Sequence, residues 1–231
     1  MPMHLQNEIE RLKKMILALS AVVESNVRKA VNSMEKADRE AAQEVIAADS
    51  EIDRMEVDVE EECLKALALY QPVAVDLRFV IAVLKINNDL ERIGDLGVNI
   101  AKRATYICNY PTIRAPFEFG ELCRKTIDML RYSLDGLMRM DLERARTVLA
   151  IDDEVDAINR QAYAKVFAAM HENPDNAEVL FSYLSASRHL ERIADYATNI
   201  AEDVIYLING KIVRHTEISA AWAAEGPEDR R

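Results

Sequence analysis

Glycine and proline are scarce in this chain: six of each among 231 residues. That is too few for a β-sandwich or a Rossmann-like fold, which depend on many tight turns. Cysteine is nearly absent too. Cys63, Cys108 and Cys123 are odd in number and widely spaced, match no zinc or disulfide pattern, and fit a reducing compartment as small hydrophobes buried in helices. No two of the four histidines stand three or four residues apart, and none follows a glutamate by three, so the Glu-x-x-His element of di-iron bundles is missing. There is no glycine-rich phosphate loop, no serine nucleophile elbow and no Cys/His pairing. No apolar run reaches the roughly 18 residues that a membrane span requires. The stretch KKMILALSAVV (13–23) faintly resembles a leader, but it continues a charged segment holding Glu8 and Glu10 and lacks a small-residue cleavage site; it reads as helix. Basic residues are in deficit, 29 against 40 acids, for a formal charge of −11. That balance argues against nucleic acid and anionic lipid as partners, and for cations or basic protein surfaces.

What remains is helix-forming sequence rich in Ala, Leu, Glu, Arg, Lys and Met. Sparse punctuation predicts six helices: about 5–34, 38–70, 76–106, 118–140, 141–171 and 175–208. Asp38 is the expected N-cap of the second, Pro72 and Pro174 break the chain before the third and sixth, and Asn209-Gly210 ends the last. The expected fold is all-α, two tandem pseudo-symmetric three-helix bundles of long antiparallel helices: residues 1–109, a linker at 110–120, residues 121–210, and a C-terminal tail at 211–231 in which Trp222 could dock. Phe79, Val83, Ile86, Leu90, Ile93, Gly97, Ile100, Ala104 and Ile107 recur in steps of four and three. Val179, Tyr183, Ala186, Leu190, Ile193, Ala197, Ile200, Val204 and Leu207 do the same, marking one core seam per helix. Helices of about 30 residues would each be about 45 Å long and the molecule elongated.

The chain also repeats itself. DLERIGDLGVNIA (89–101) returns as HLERIADYATNIA (189–201), with eight of thirteen positions identical. Glu91, Asp95 and Asn99 fall off the seam as one oblique outward row, and Glu191, Asp195 and Asn199 repeat it. On the second helices Asp49 and Asp53 are four apart, as are Asp152 and Asp156. Any one such pair is ordinarily a solvated face, since like charges at i,i+4 cost only a few tenths of a kcal/mol. Four pairs at equivalent places are a different matter. Arg92 and Arg192 are expected to point about 100° away and leave the rows uncompensated, while His189, whose counterpart is Asp89, reads as a surface residue. If the second and third helices of each half lie side by side, each half gathers four carboxylates and an amide oxygen, a donor set for hard cations.

Doubled DxxxD and LERIxDxxxNIA motifs, with AVDLRFVIAVLKINNDLERIGD (74–95) and ERIADYATNIAEDVIYLINGKIVRH (191–215), resemble the PhoU family of phosphate-uptake regulators over about residues 5–215. The resemblance implies two symmetric three-helix bundles, commonly a homodimer, with divalent or multinuclear metal (iron, manganese, magnesium or zinc) on Glu/Asp-x-x-x-Asp motifs. Here those motifs are Asp49 and Asp53, Glu91 and Asp95, Asp152 and Asp156, Glu191 and Asp195; Asn99 and Asn199 are added from the row geometry. It further implies a cytoplasmic adaptor, reaching the inner membrane only through partners, that links the ATPase subunit of the phosphate ABC transporter to a phosphate-sensing histidine kinase and represses the phosphate-starvation response. PVAVDLR (72–78) becomes PDNAEVL (174–180) in the second half, so the halves need not be equivalent toward partners.

Three functional classes therefore stand. One is a non-enzymatic regulatory adaptor. Another is a metal-independent helical scaffold. The third is a carboxylate-bridged metal-dependent hydrolase, disfavoured because the acids are expected on convex faces without pocket-forming loops.

Overall fold

A computed structural model describes residues 3–210. Seven α-helices follow one another: α1 (Met3–Lys36), α2 (Arg39–Ala47), α3 (Asp49–Tyr70), α4 (Ala74–Ile107), α5 (Phe119–Arg139), α6 (Leu142–Glu172) and α7 (Ala177–Asn209), with a short 3₁₀ turn at Pro174–Asn176. No strand occurs among the described residues. The tail read at 211–231, including Trp222, lies outside them.

Local chemistry sets most of the ends. The Asp38 side chain accepts from the Ala41 amide at 3.0 Å and so caps α2. The Asp141 carboxylate accepts from the Glu143 and Arg144 amides and caps α6. Gly210, at φ 70°, takes the left-handed conformation that closes α7. One expectation is corrected here: the second helix is not continuous. It is interrupted at Ala48, which bonds back to the Glu44 carbonyl before α3 begins at Asp49.

Every residue of the two predicted seams is buried except Phe79, which is half-buried against the core. Burial extends further than one stripe, however. In α4, Ala82, Leu96, Val98 and Ala101 are also enclosed; in α7, Leu184, Ala194, Ala201 and Ile205 are. The reason is that α4 packs on α1, α2 and α3 on one side and on α7 on the other, while α7 packs likewise on α5 and α6. The two repeats thus share one continuous hydrophobic cluster with α4 and α7 at its centre. Each buried Leu or Ile there contributes about 1.5–3 kcal/mol of transfer free energy. Cys63 and Cys123 are buried and free as expected, whereas Cys108, just past the end of α4, is only half-buried; burial pushes the Cys63 thiol up to about 12.

Candidate metal sites

The acid rows depend on how closely the second and third helical segments of each half approach. In the first half Ile52 of α3 packs onto Gly94 of α4; a Cβ on that glycine would stand 3.2 Å from Ile52 Cδ1 and Cγ2. Asp49 and Asp53 flank Ile52, and Asp95 follows Gly94. The contact therefore brings the two acidic edges face to face. Burial, then repulsion from Asp53 and Asp95, pushes the Asp49 carboxyl above its ordinary range, with Lys102 opposing. Glu91 is raised by burial first and then by Asp95, with Glu56 and Asp53 adding and Arg92 opposing. Glu56 is raised by burial, by Glu60 and by Asp53. It belongs to the same edge and was missed from sequence, although it stands one helical turn beyond Asp53. Asn87 holds it, donating to both its carbonyl and its carboxylate, at 2.9 and 3.1 Å.

The second half repeats this with more burial. Asp152 is pushed up to about 6, by burial first, then by Asp156 and Asp195, with Asp153 adding and the Thr198 hydroxyl opposing. Glu191 is raised by burial, Asp156 and Asp152 against Arg188 and the Asn159 amide. Asp195 is raised by burial, Glu191 and Asp156 against Arg192. Three oxygens at this edge, Asp152 Oδ1, Asn159 Oδ1 and Thr198 Oγ1, are buried without a hydrogen-bond partner of acceptable geometry. Asn159 and Thr198 were not foreseen. Each sits a turn from an acid already identified, Asn159 at i+3 from Asp156 and Thr198 at i+3 from Asp195. A cleft of about 440 Å³ adjoins, bounded by Asn159, Tyr163, Glu191 and Asp195 together with three arginines. The second acidic face is therefore not simply convex, contrary to the sequence expectation.

Arg92 is a second correction. Its Nε lies 3.3 Å from Glu91 Oε2 and its Nη1 3.6 Å from Asp95 Oδ2. The flexible stem turns the guanidinium back over the row that the helical projection placed out of reach. Arg160 similarly meets Asp156 at 3.4 Å. Among the described residues, no group of three or more His, Cys, Asp or Glu side chains is gathered as a finished metal site. The guanidinium pairs are half-exposed, worth about 0–1 kcal/mol each, and readily displaced. The donors themselves fit a hard cation: carboxylates on two facing helices, with unpartnered buried oxygens of an acid, an amide and a hydroxyl beside them.

Asn99 lines a different cleft, between α4 and α7, with Lys102, Arg103, Ser185 and His189 and no carboxylate. Asn199 is half-buried, one turn past Asp195. His189 lies in the wall of the Asn99 cleft, not fully in solvent. It is half-buried, and burial followed by the positive charges of Arg103, Arg192 and Arg188 holds its imidazole below the usual range.

Comparison with known proteins places this geometry in context. The family described as PhoU domain matches residues 16–104 and 119–204, once per repeat. A relative from Pseudomonas putida, named phosphate-specific transport system accessory protein PhoU homolog, is 38% identical over 209 residues, 90% of this chain and 82% of its own. The crystal structure of PhoU from Pseudomonas aeruginosa superposes with a TM-score of 0.86 at 37% identity, covering 89% of this chain and 99% of that one. The phosphate transport system regulatory protein PhoU from Streptococcus pneumoniae superposes at 0.79 with 28% identity, over 90% and 99%.

Proposed function

Because the chain belongs to the PhoU family, we propose that it is a non-enzymatic regulatory adaptor of a phosphate-specific transport system, cytoplasmic and working through protein partners. It restrains phosphate uptake and represses the starvation response by joining the ATPase subunit of the phosphate ABC transporter to a phosphate-sensing histidine kinase, as a homodimer. Among the described residues no helix is long and apolar enough to cross a membrane.

The observation that carries the metal part of this reading is the doubled carboxylate edge with its unpartnered buried oxygens. Asp49, Asp53, Glu91 and Asp95 would hold one ion or cluster, and Asp152, Asp156, Glu191 and Asp195 another, with Glu56 and Asn159 adjoining. A bound hard cation supplies positive charge and oxygen coordination to each edge. The chain's own residues do the rest: carboxylates from α3 and α4, and from α6 and α7, tie each helix pair together and give partners a rigid, partly neutralised acidic face. Binding confined to the folded form also stabilises it by linkage.

The test is a phosphate-starvation reporter in cells lacking the chain and in cells carrying it with all eight acids changed to Asn or Gln. Loss of repression in the deletion strain is expected, with partial or full loss in the variant. An unchanged reporter in the deletion strain sinks the adaptor reading. Full repression by a variant that purifies without metal sinks the metal reading alone.

A further inference from the structure

A cleft of about 830 Å³ opens between the C-terminal part of α4 and the start of α7, beneath Arg39 of α2. The smaller cleft of about 410 Å³ that Asn99 lines adjoins it, sharing Lys102 and Arg103. The larger volume is within the range of small-molecule sites. Its charge is unusual for a protein of net charge −11. Arg39, Lys102 and Arg103 converge on it; among the described residues none lies within salt-bridge distance of a carboxylate, although Lys102 feels the charge of Asp49. Arg39 is held by the Asn109 side-chain oxygen at 2.7 Å, and the Arg103 guanidinium stands 5.9 Å over the Phe181 ring. The one acid in the wall, Glu178, accepts the Tyr106 hydroxyl. In the adjoining smaller cleft, His189 Nδ1 is buried without a hydrogen-bond partner.

Pseudo-symmetry shows that this excess of cations is particular to one corner. The same step that relates the repeats takes Lys85 to Ser185 and Arg103 to Asp203. In the related corner Lys85 meets Asp203 at 3.4 Å. Here the acid is replaced by Arg103 and the lysine by a serine, so a cation stands where its mate held an internal pair. An external anion is what would complete the corner. The cleft also offers Phe181, 54% exposed, as a flat apolar surface, with Ser182, Thr105 and Asn109 as hydroxyl and amide partners.

We propose that this cleft binds a nucleotide, its phosphates among Arg39, Lys102 and Arg103 and its base against Phe181. Guanidinium and ammonium groups suit phosphate oxygens, and an exposed aromatic face suits any base without reading its sequence. The site adjoins the first carboxylate edge, where Lys102 faces the charge of Asp49, and needs no metal.

The test is calorimetric titration of the full chain in buffer with EDTA, which strips metal that could carry phosphate to the acids. The ligands are AMP, ATP, adenosine and inorganic phosphate, at two salt concentrations. AMP and ATP should bind, more weakly at high salt, and adenosine should bind at least about tenfold less tightly. The Lys102→Ala/Arg103→Ala variant should lose about tenfold or more in nucleotide affinity at an unchanged melting temperature. Phe181→Ala should lose about fivefold for AMP with no change for phosphate. Nucleotide binding that survives the double substitution, or is absent in EDTA, overturns the proposal. So does equal affinity for phosphate and AMP.

Discussion

Lys85 and Asp203 meet across the contact between the two repeats, Nζ to Oδ1 at 3.4 Å, with the aspartate side chain 3% exposed and the lysine 43%. Lys85 also stands 5.8 Å over the Tyr206 ring. An almost fully buried carboxylate is tolerable because a cation from the opposite repeat reaches it, so the pair fixes how α4 and α7 lie against each other.

Lys85→Met should therefore destabilise the chain by about 1–2 kcal/mol. That is less than the full cost of leaving a buried charge bare, because the lysine is half in water and Asp203 keeps a further interaction of its own. Urea denaturation of Lys85→Met, Asp203→Asn and the double variant measures the coupling. Strict additivity of the two single changes would show that the pair does not act as one.

Asp152 makes metal-free stability depend on pH. Its folded value, about 6, lies above its ordinary 3.8. The folded state thus holds the proton more tightly, and the chain loses stability as pH rises from about 4 to about 6, with the loss complete above that. Screening by solvent at this half-exposed group limits the effect to about 1 kcal/mol. The melting difference between Asp152→Asn and the parent should grow in favour of the variant through that window and stay flat from pH 7 to 8.

Metal should act unequally on the two halves. With Mn²⁺ or Fe²⁺ at a hundredfold its Kd, stability should rise by about 2.7 kcal/mol for each site filled. Asp152→Asn/Asp195→Asn should remove more of the gain than Asp49→Asn/Asp95→Asn, since the second edge holds three buried unpartnered oxygens, on Asp152, Asn159 and Thr198, against Asn87 Oδ1 alone beside the first. Proton competition at Asp152 should also weaken that site below pH 6. Metal content of the purified variants, read beside melting curves with and without chelator, checks both statements.

Two glycines of α4 should respond with opposite sign. A Cβ at Gly97 would meet Val27 Cγ2 at an ordinary 3.5 Å, and the second repeat already has Ala197 there. Gly97→Ala should stabilise by about 0.5–1 kcal/mol through helix propensity. Gly94→Ala presses on Ile52 at 3.2 Å and should cost about 1–3 kcal/mol by overpacking. The second repeat carries Ala194, but opposite it stands the smaller Val155 in place of Ile52. Thermal unfolding of the two variants decides.

Much of the fold was legible because it rests on periodicity. The seams of α4 and α7 follow from apolar spacing, and the caps at Asp38 and Asp141 follow from residue type. Ala48 shows where that reading ends, since nothing in AADSE marks an interruption and neither Gly nor Pro is nearby. The second buried flank of α4 was hidden for another reason. Ala82, Val98 and Ala101 look unremarkable until α7 is laid across them. At the candidate site, spacing singled out eight acids for the proposed edges, while a rigid projection misplaced Arg92, whose stem is long enough to turn back. Asn159 and Thr198 matter through burial, which one-dimensional spacing does not report. The basic cleft was invisible for a similar reason, as Arg39, Lys102, Arg103 and Phe181 come from three separate helices of a chain whose overall charge points the other way.

The central placement of α4 and α7 has a consequence for how the duplicated halves have aged. Residues on these two rods answer to neighbours from both copies at once, so a change in one copy is judged by the other. The peripheral helices answer mainly to their own half, apart from a smaller contact of α1 with α5. The internal likeness is accordingly concentrated where the copies touch, eight matches in thirteen along DLERIGDLGVNIA and its echo, while the entries to the two rods, PVAVDLR and PDNAEVL, have been free to part company.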